Sequence, residues 1–243
     1  MKEQIKYYFP SLWGIGRKVY RKFYYIWLRH IRPLLGTKLE EKYWIKKPPS
    51  NGIEVWNTKD HPHRNFLIEQ ISVLSPIRSI LEIGCNSGPN LYLLAKKLPD
   101  AELRGIDINK HAVEYGNKKF KEEGIKNAIL SIGKADVLDS FKDNSFDIVF
   151  TDAVLMFIAQ DKIKKVLREL IRIGRKALVL MEWHCFELKS PHLSCYTTHW
   201  VRDYVALLKN LFPDIKVRFI KMPTELWPDK NWQRFGGIVI AEK

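Results

Sequence analysis

The stretch Ser79-Ile80-Leu81-Glu82-Ile83-Gly84-Cys85-Asn86-Ser87-Gly88-Pro89-Asn90 decides the fold. A short apolar run, Ser79–Gly84, has the character of a buried strand and leads into a tight turn. A helix is expected after it, over Asn90–Leu98. Gly84 and Gly88 lack a Cβ, so a ligand can approach the backbone closely there. Asn86, between them, is one of the few non-glycine residues that tolerate left-handed geometry.

Outward from this turn, strand and helix patterns alternate. Glu102–Asp107 reads as a strand, Asn109–Glu123 as a helix, and Ala128–Gly133 and Phe146–Thr151 as strands. Ile163, Val166, Leu167, Leu170 and Ile171 recur at helical spacing. Lys176–Met181 follows as a strand, His199–Leu211 as a helix, and Ile215–Ile220 and Phe235–Ala241 as a closing antiparallel pair at the sheet edge. Repeated β-α units predict an α/β fold: a doubly wound, mainly parallel seven-stranded sheet with an antiparallel last strand, preceded by a helical extension. Lys46–Gly52, rich in Pro, Ser, Asn and Gly, reads as a linker, and Pro62 suits the first turn of a helix. Residues 1–61 are therefore assigned to the extension and 62–243 to the α/β domain.

The chain has 243 residues and is 46% hydrophobic, enough for one α/β domain with its own core. Three cysteines, Cys85, Cys185 and Cys195, make no disulfide framework. No stretch approaches the roughly 20 apolar residues of a membrane span, and Met1–Pro10 lacks a signal-peptide pattern. A cytoplasmic protein is expected, either soluble or peripheral at the inner face of a membrane. The net charge of +14 is uneven: residues 1–64 hold 14 Lys/Arg against 5 Asp/Glu, and the rest 27 against 22.

The spacing of the turn excludes the dinucleotide fingerprint G-x-G-x-x-G. Counted from Gly84, its next two glycine positions hold Asn86 and Pro89. Glu82 precedes Gly84 by two, and Gly88 supplies the last glycine. Asp107 ends the second strand, where a carboxylate can accept from both ribose hydroxyls of an adenosine. Asp136 follows the third strand, and Asp152 ends the fourth.

This ordered set resembles class I S-adenosylmethionine-dependent methyltransferases over roughly residues 62–243, the glycine turn resembling their motif I. The resemblance implies S-adenosylmethionine as cofactor, bound by Glu82, Gly84, Cys85, Asn86, Gly88 and Asn90 from the turn, and by Asp107 and Ile108. It further implies Asp136 and Val137 at the adenine, and Asp152 and Ala153 beside the methionine moiety. Thr151-Asp152-Ala153-Val154 does not resemble the D/N-P-P-Y/F motif of many enzymes that methylate nucleic-acid bases. It looks more like the motifs of small-molecule, lipid and sugar methyltransferases.

An oxygen acceptor needs a base to take its proton. His184, His192, Tyr196 and His199 follow the fifth strand. Because histidine titrates near neutral pH, His184 is the first candidate and His199 the second. His184, Cys185, His192, Cys195 and His199 include zinc-ligand types, but there is no C-x-x-C pair and the spacing matches no finger, so no metal is expected. O-methylation of a small molecule, lipid or glycan is the expected function. An RNA methyltransferase using the basic arm and a non-catalytic cofactor-binding module are the alternatives.

Residues 15–34 place Ile15, Val19, Tyr20, Phe23, Ile26, Trp27, Ile31 and Leu34 at helical spacing among six basic residues, and nine aromatics fall in the first 30 positions. Such an arm suits a lid over the acceptor site or an element at an anionic membrane surface; nucleic acid is the weaker reading. If residues 1–39 are interfacial, the full chain should bind anionic liposomes, with binding reduced but not abolished by salt, and deletion of that arm should remove it. Indifference to such liposomes at low salt, seen in a flotation assay, would make the arm a lid.

Overall fold

The computed structural model describes residues 36–188, 192–196 and 199–243; the basic aromatic arm and its helical stripe lie outside the described residues. Seven strands form one sheet: β1 (Ser79–Ile83), β2 (Glu102–Asp107), β3 (Ala128–Ile132), β4 (Phe146–Asp152), β5 (Gly174–Trp183), β8 (Lys216–Lys221) and β9 (Gly236–Glu242). Their order is β3-β2-β1-β4-β5-β9-β8. β9 is antiparallel to both its neighbours, whereas the β3-to-β5 ladders are parallel. The sequence expectation of a mainly parallel seven-stranded sheet with an antiparallel last strand is met, and β8 takes the edge.

Successive residues of a strand face opposite sides, and the core divides accordingly. Ile80, Ile148, Phe150 and Val179 meet Leu67 and Ile71 of α3 (Pro62–Ser72), Leu91 and Leu94 of α4 (Pro89–Lys97), and Val113 and Phe120 of α5 (Lys110–Glu122). Leu81, Ile83, Val149 and Leu178 meet the apolar stripe of α6 (Gln160–Ile173) together with Leu207 and Leu208 of α7 (Tyr204–Leu211). Burying a Leu or Ile side chain contributes about 1.5–3 kcal/mol, so these two layers dominate the stability.

Two sequence readings are corrected. The segment taken as a linker, Lys46–Gly52, runs into helix α2 (Pro49–Trp56), with Pro49 in its first turn. Proline there loses no hydrogen bond, and a side chain added at Gly52 would press on Ala112 of α5. The helix expected from His199 begins only at Tyr204. His199–Arg202 is strand β7, paired antiparallel with β6 (His192–Tyr196). Asp203 ends the strand and caps α7 by accepting from the Ala206 N–H at 2.9 Å.

Helix α1 (Lys38–Ile45) is tied to the domain by Thr37. Its N–H and hydroxyl donate to Asp161 at 3.0 and 2.7 Å, and its Oγ1 accepts from the Ala159 N–H at 3.0 Å. The loop after β4 is clamped by two buried side chains. Glu182 Oε1 accepts from Thr151 Oγ1 and from the N–H groups of Val154 and Leu155, and Oε2 accepts from Met156. Arg202 donates to the Leu155 and Ile158 carbonyls. Glu182→Gln turns Oε2 into a donor facing the Met156 N–H. It should cost about 1–3 kcal/mol, the price of one unsatisfied buried donor, measured by urea unfolding.

Candidate functional site

The carboxyl ends of β1, β2 and β4 and the loop after β3 enclose a cavity of about 280 Å³. Gly84, Asn86 and Gly88 all adopt positive φ, at 71°, 48° and 77°, so the turn bends back beneath it. A Cβ at Gly84 would lie 2.4 Å from Val154 Cγ2, so only glycine fits. Glu82, Gly84, Cys85, Asn86 and Asn90 line this cavity from the turn, Asp107 and Ile108 from β2, Asp136 from beyond β3, and Asp152 and Ala153 from β4. Gly88 and Val137 do not: Gly88 packs beneath the turn near Phe120 and Leu130, and Val137 is largely exposed.

Asn90 organises the floor. Its Nδ2 donates to Glu82 Oε1 at 2.7 Å and to Asp152 Oδ2 at 3.1 Å, while its Oδ1 accepts from Arg64 Nη1 at 2.8 Å. Burial pushes Glu82 up to about 8. Burial also works to raise Asp152, but His63 and Arg64 beside it outweigh that and hold it down at about 2. His63 Nε2 lies 3.3 Å and Arg64 Nη1 3.2 Å from Asp152 Oδ2. Asp107 is raised by burial, against the Asn109 and Asn86 N–H groups it accepts at 2.8 and 2.7 Å. Burial also raises the Cys85 thiol, which keeps it protonated and unreactive.

His63 and Arg64 were not singled out in the sequence. The available signal was charge: basic groups in the first turn of α3 oppose the helix dipole and need another reason to be there. Also unforeseen were Trp44 of α1, Glu41, Lys162 and Trp227. Glu41 pairs with Lys134 at 3.0 Å and with Lys162, which also holds Asp136 at 2.8 Å, so α1 closes the Asp136 end of the cavity by ion pairs.

A second cavity adjoins the first, sharing Trp44, Ala153, Phe157 and Trp227 with it. His199 lines it; His184 lines neither. His184 is buried between Phe186 and Phe219, its Nδ1 accepts from the Tyr204 N–H at 3.2 Å, and burial lowers its pKa to about 4. The structure thus sets the first base candidate apart from the site and brings the second to it. Among the described residues no group of three His, Cys, Asp or Glu is placed to hold a metal.

A doubly wound sheet with a glycine turn and an acidic residue on the next strand defines a class I nucleotide-cofactor domain. Residues 75–213, more than half of the chain, match the model of the family described as a methyltransferase domain, and the chain belongs to that family of S-adenosylmethionine-dependent methyltransferases. A malonyl-[acyl-carrier protein] O-methyltransferase of Acetivibrio thermocellus is 30% identical over 38% of this chain and 31% of its own length. A tRNA (guanine-N(7)-)-methyltransferase of Campylobacter fetus subsp. fetus is 25% identical over 80% of this chain and 52% of its own. The chain thus spans about half or less of the length of these relatives. Among solved structures, an S-adenosylmethionine-dependent methyltransferase from Aquifex aeolicus superposes with a TM-score of 0.58 at 18% identity, over 81% of this chain and 99% of that one. The geranyl diphosphate C-methyltransferase of Streptomyces coelicolor A3(2) gives 0.59 at 12%, over 74% and 76%. At these identities both speak for the fold.

Asp152 contributes to stability above the ordinary aspartate value of 3.8, and that contribution is lost as pH falls through 3.8 toward about 2. The interval corresponds to about 2 kcal/mol. Asp152→Asn should therefore be destabilised by about that amount at pH 7 and converge on the unaltered chain near pH 2, read by urea unfolding across pH.

Proposed function

We propose that the chain transfers a methyl group from S-adenosylmethionine to a hydroxyl oxygen of a small molecule, lipid or glycan, with the cofactor in the first cavity and the acceptor in the second. One observation carries the placement of the cofactor. Two buried carboxylate oxygens of the first cavity's lining residues, Glu82 Oε2 and Asp152 Oδ1, have no hydrogen-bond partner among the described residues. A buried polar atom without a partner is costly, and a cationic ligand relieves it. The ammonium of the methionine moiety is such a group, and Arg64 offers a cation for its carboxylate. Each Asp107 oxygen accepts one backbone N–H and retains a lone pair for a ribose hydroxyl.

When bound, S-adenosylmethionine supplies an electrophilic methyl whose bond to sulfur breaks as the acceptor's bond to carbon forms. The chain's residues align the acceptor, exclude water and remove the hydroxyl proton. His199 is the residue proposed to take that proton, because it lines the second cavity. The O-methyltransferase relative supports an oxygen acceptor. The RNA alternative draws on the tRNA-modifying relative and the basic arm, and it predicts salt-sensitive RNA affinity.

Calorimetry with S-adenosylhomocysteine tests the cofactor site. Asp107→Ala should weaken binding at least tenfold, since it removes a charged partner of two hydroxyls, each such bond contributing about 1.5–3 kcal/mol. Binding an ammonium selects ionised Glu82. Affinity should therefore rise with pH up to about 8 and then level off, with proton release seen in buffers of differing ionisation enthalpy. Glu82→Gln should abolish the slope. A flat profile in the unaltered chain removes Glu82 from this role.

A further inference from the structure

The wall of the second cavity is a belt of rings, each in contact with the next. Trp44 meets Phe157 at 4.8 Å, Phe157 meets His199 at 4.9 Å, and His199 meets Trp183 at 4.9 Å. Trp183 meets Trp232 at 6.2 Å, and Trp232 stacks on Trp227 at 4.1 Å with 6° between planes. Trp227 closes the belt on His63 at 4.0 Å. Trp44 and Trp227 line both cavities and His63 lines the cofactor cavity, so the row of rings runs from one cavity into the other.

Within this apolar wall two donors are left over. The indole N–H groups of Trp44 and Trp183 are buried and have no acceptor among the described residues. Trp183 is only 3% exposed. An unsatisfied buried donor costs about 1–3 kcal/mol, which a ligand oxygen would recover. Tryptophan at a binding surface usually directs its N–H to such a partner.

We propose that the acceptor is a planar, conjugated hydroxyl compound, a phenol or enol carrying a second oxygen, held with its face against the belt and its oxygens toward the indole N–H groups. This rests on the reading of the second cavity as the acceptor site. Three alternatives fit less well. An amine or quaternary ammonium would match the rings but would bring no oxygen to the two donors. Asp229, the one carboxylate lining this cavity among the described residues, already uses Oδ1 to cap the helix Lys230–Phe235, accepting from Asn231 and Trp232 at 2.9 and 3.1 Å. A sugar would present hydroxyls all round to a wall that is mostly carbon, and a saturated chain would leave both indoles unsatisfied. For a phenol the chemistry balances simply: oxygen gains the methyl carbon, sulfur keeps the electron pair of the broken bond, and the hydroxyl proton passes to His199.

The test is calorimetry on the full chain saturated with S-adenosylhomocysteine, using 2,3-dihydroxynaphthalene, its fully saturated diol, methyl glucoside and benzyltrimethylammonium. The flat diol should bind at least tenfold more tightly than each of the others. Trp183→Phe, which keeps a ring and removes the N–H, should weaken it about fivefold with S-adenosylhomocysteine affinity unchanged. Trp232→Leu should bring the flat and saturated diols within threefold of each other. Equal affinity for the two diols in the unaltered chain, or tighter binding of the glucoside or the ammonium, overturns the proposal while leaving the cofactor site standing. If S-adenosylhomocysteine does not bind, the cofactor reading fails and this inference falls with it. The ligand series needs no variant, so a misfolded substitution would not blunt it.

Discussion

The side-chain amide of Asn90 is the point on which the site depends. It stands at the start of α4, directly after the glycine turn, and it can be oriented in only one way: two N–H donors toward Glu82 and Asp152, one carbonyl toward Arg64. That orientation lets β1, β4 and α3 share one buried network. It also allows two carboxylates to sit close together in different protonation states, Glu82 raised by burial and Asp152 held down, against burial, by His63 and Arg64 beside it. With an apolar residue at position 90 the two acids would lose their common donor and Arg64 one of its acceptors.

A second constraint works from below. The loop after β4 must carry Ala153 at φ 58° past the mouth of both cavities, in a conformation non-glycine residues seldom adopt. Its backbone is held from two sides, N–H groups by Glu182 and carbonyls by Arg202. Glu182 comes from β5 of the large sheet and Arg202 from β7 of the separate β6-β7 pair, so the loop is shaped where the two sheets meet. The strain at Ala153 is sustained by these buried hydrogen bonds rather than by local sequence preference.

What could be read from the chain alone was what is local. The run from Ser79 to Asn90 carries its apolar strand, its two glycines and its left-handed Asn within a dozen residues, and the doubly wound sheet follows from repeating that unit. The strand β7 was harder because Val201, Tyr204, Leu207 and Leu208 continue a helical spacing across Asp203, and only the pairing with β6 decides between the two states. His184 directly follows the carboxyl end of a strand, as a catalytic residue would, but the choice between facing a cavity and facing Phe219 is made by packing between distant elements. His63 and Arg64 lie outside the glycine turn altogether and reach it because α3 packs alongside α4.

The belt of rings is assembled from separate stretches of chain. Phe157, Trp183 and His199 lie inside the span shared with the methyltransferase-domain family, whereas Trp44 comes before it and Trp227 and Trp232 come after it. On the proposed reading, half of the acceptor's enclosure is therefore written outside the part of the gene that encodes the catalytic engine. The same flanks also carry Trp44, Arg64 and Trp227 of the cofactor cavity, so a change of acceptor written there has to preserve the contacts that hold the methyl donor.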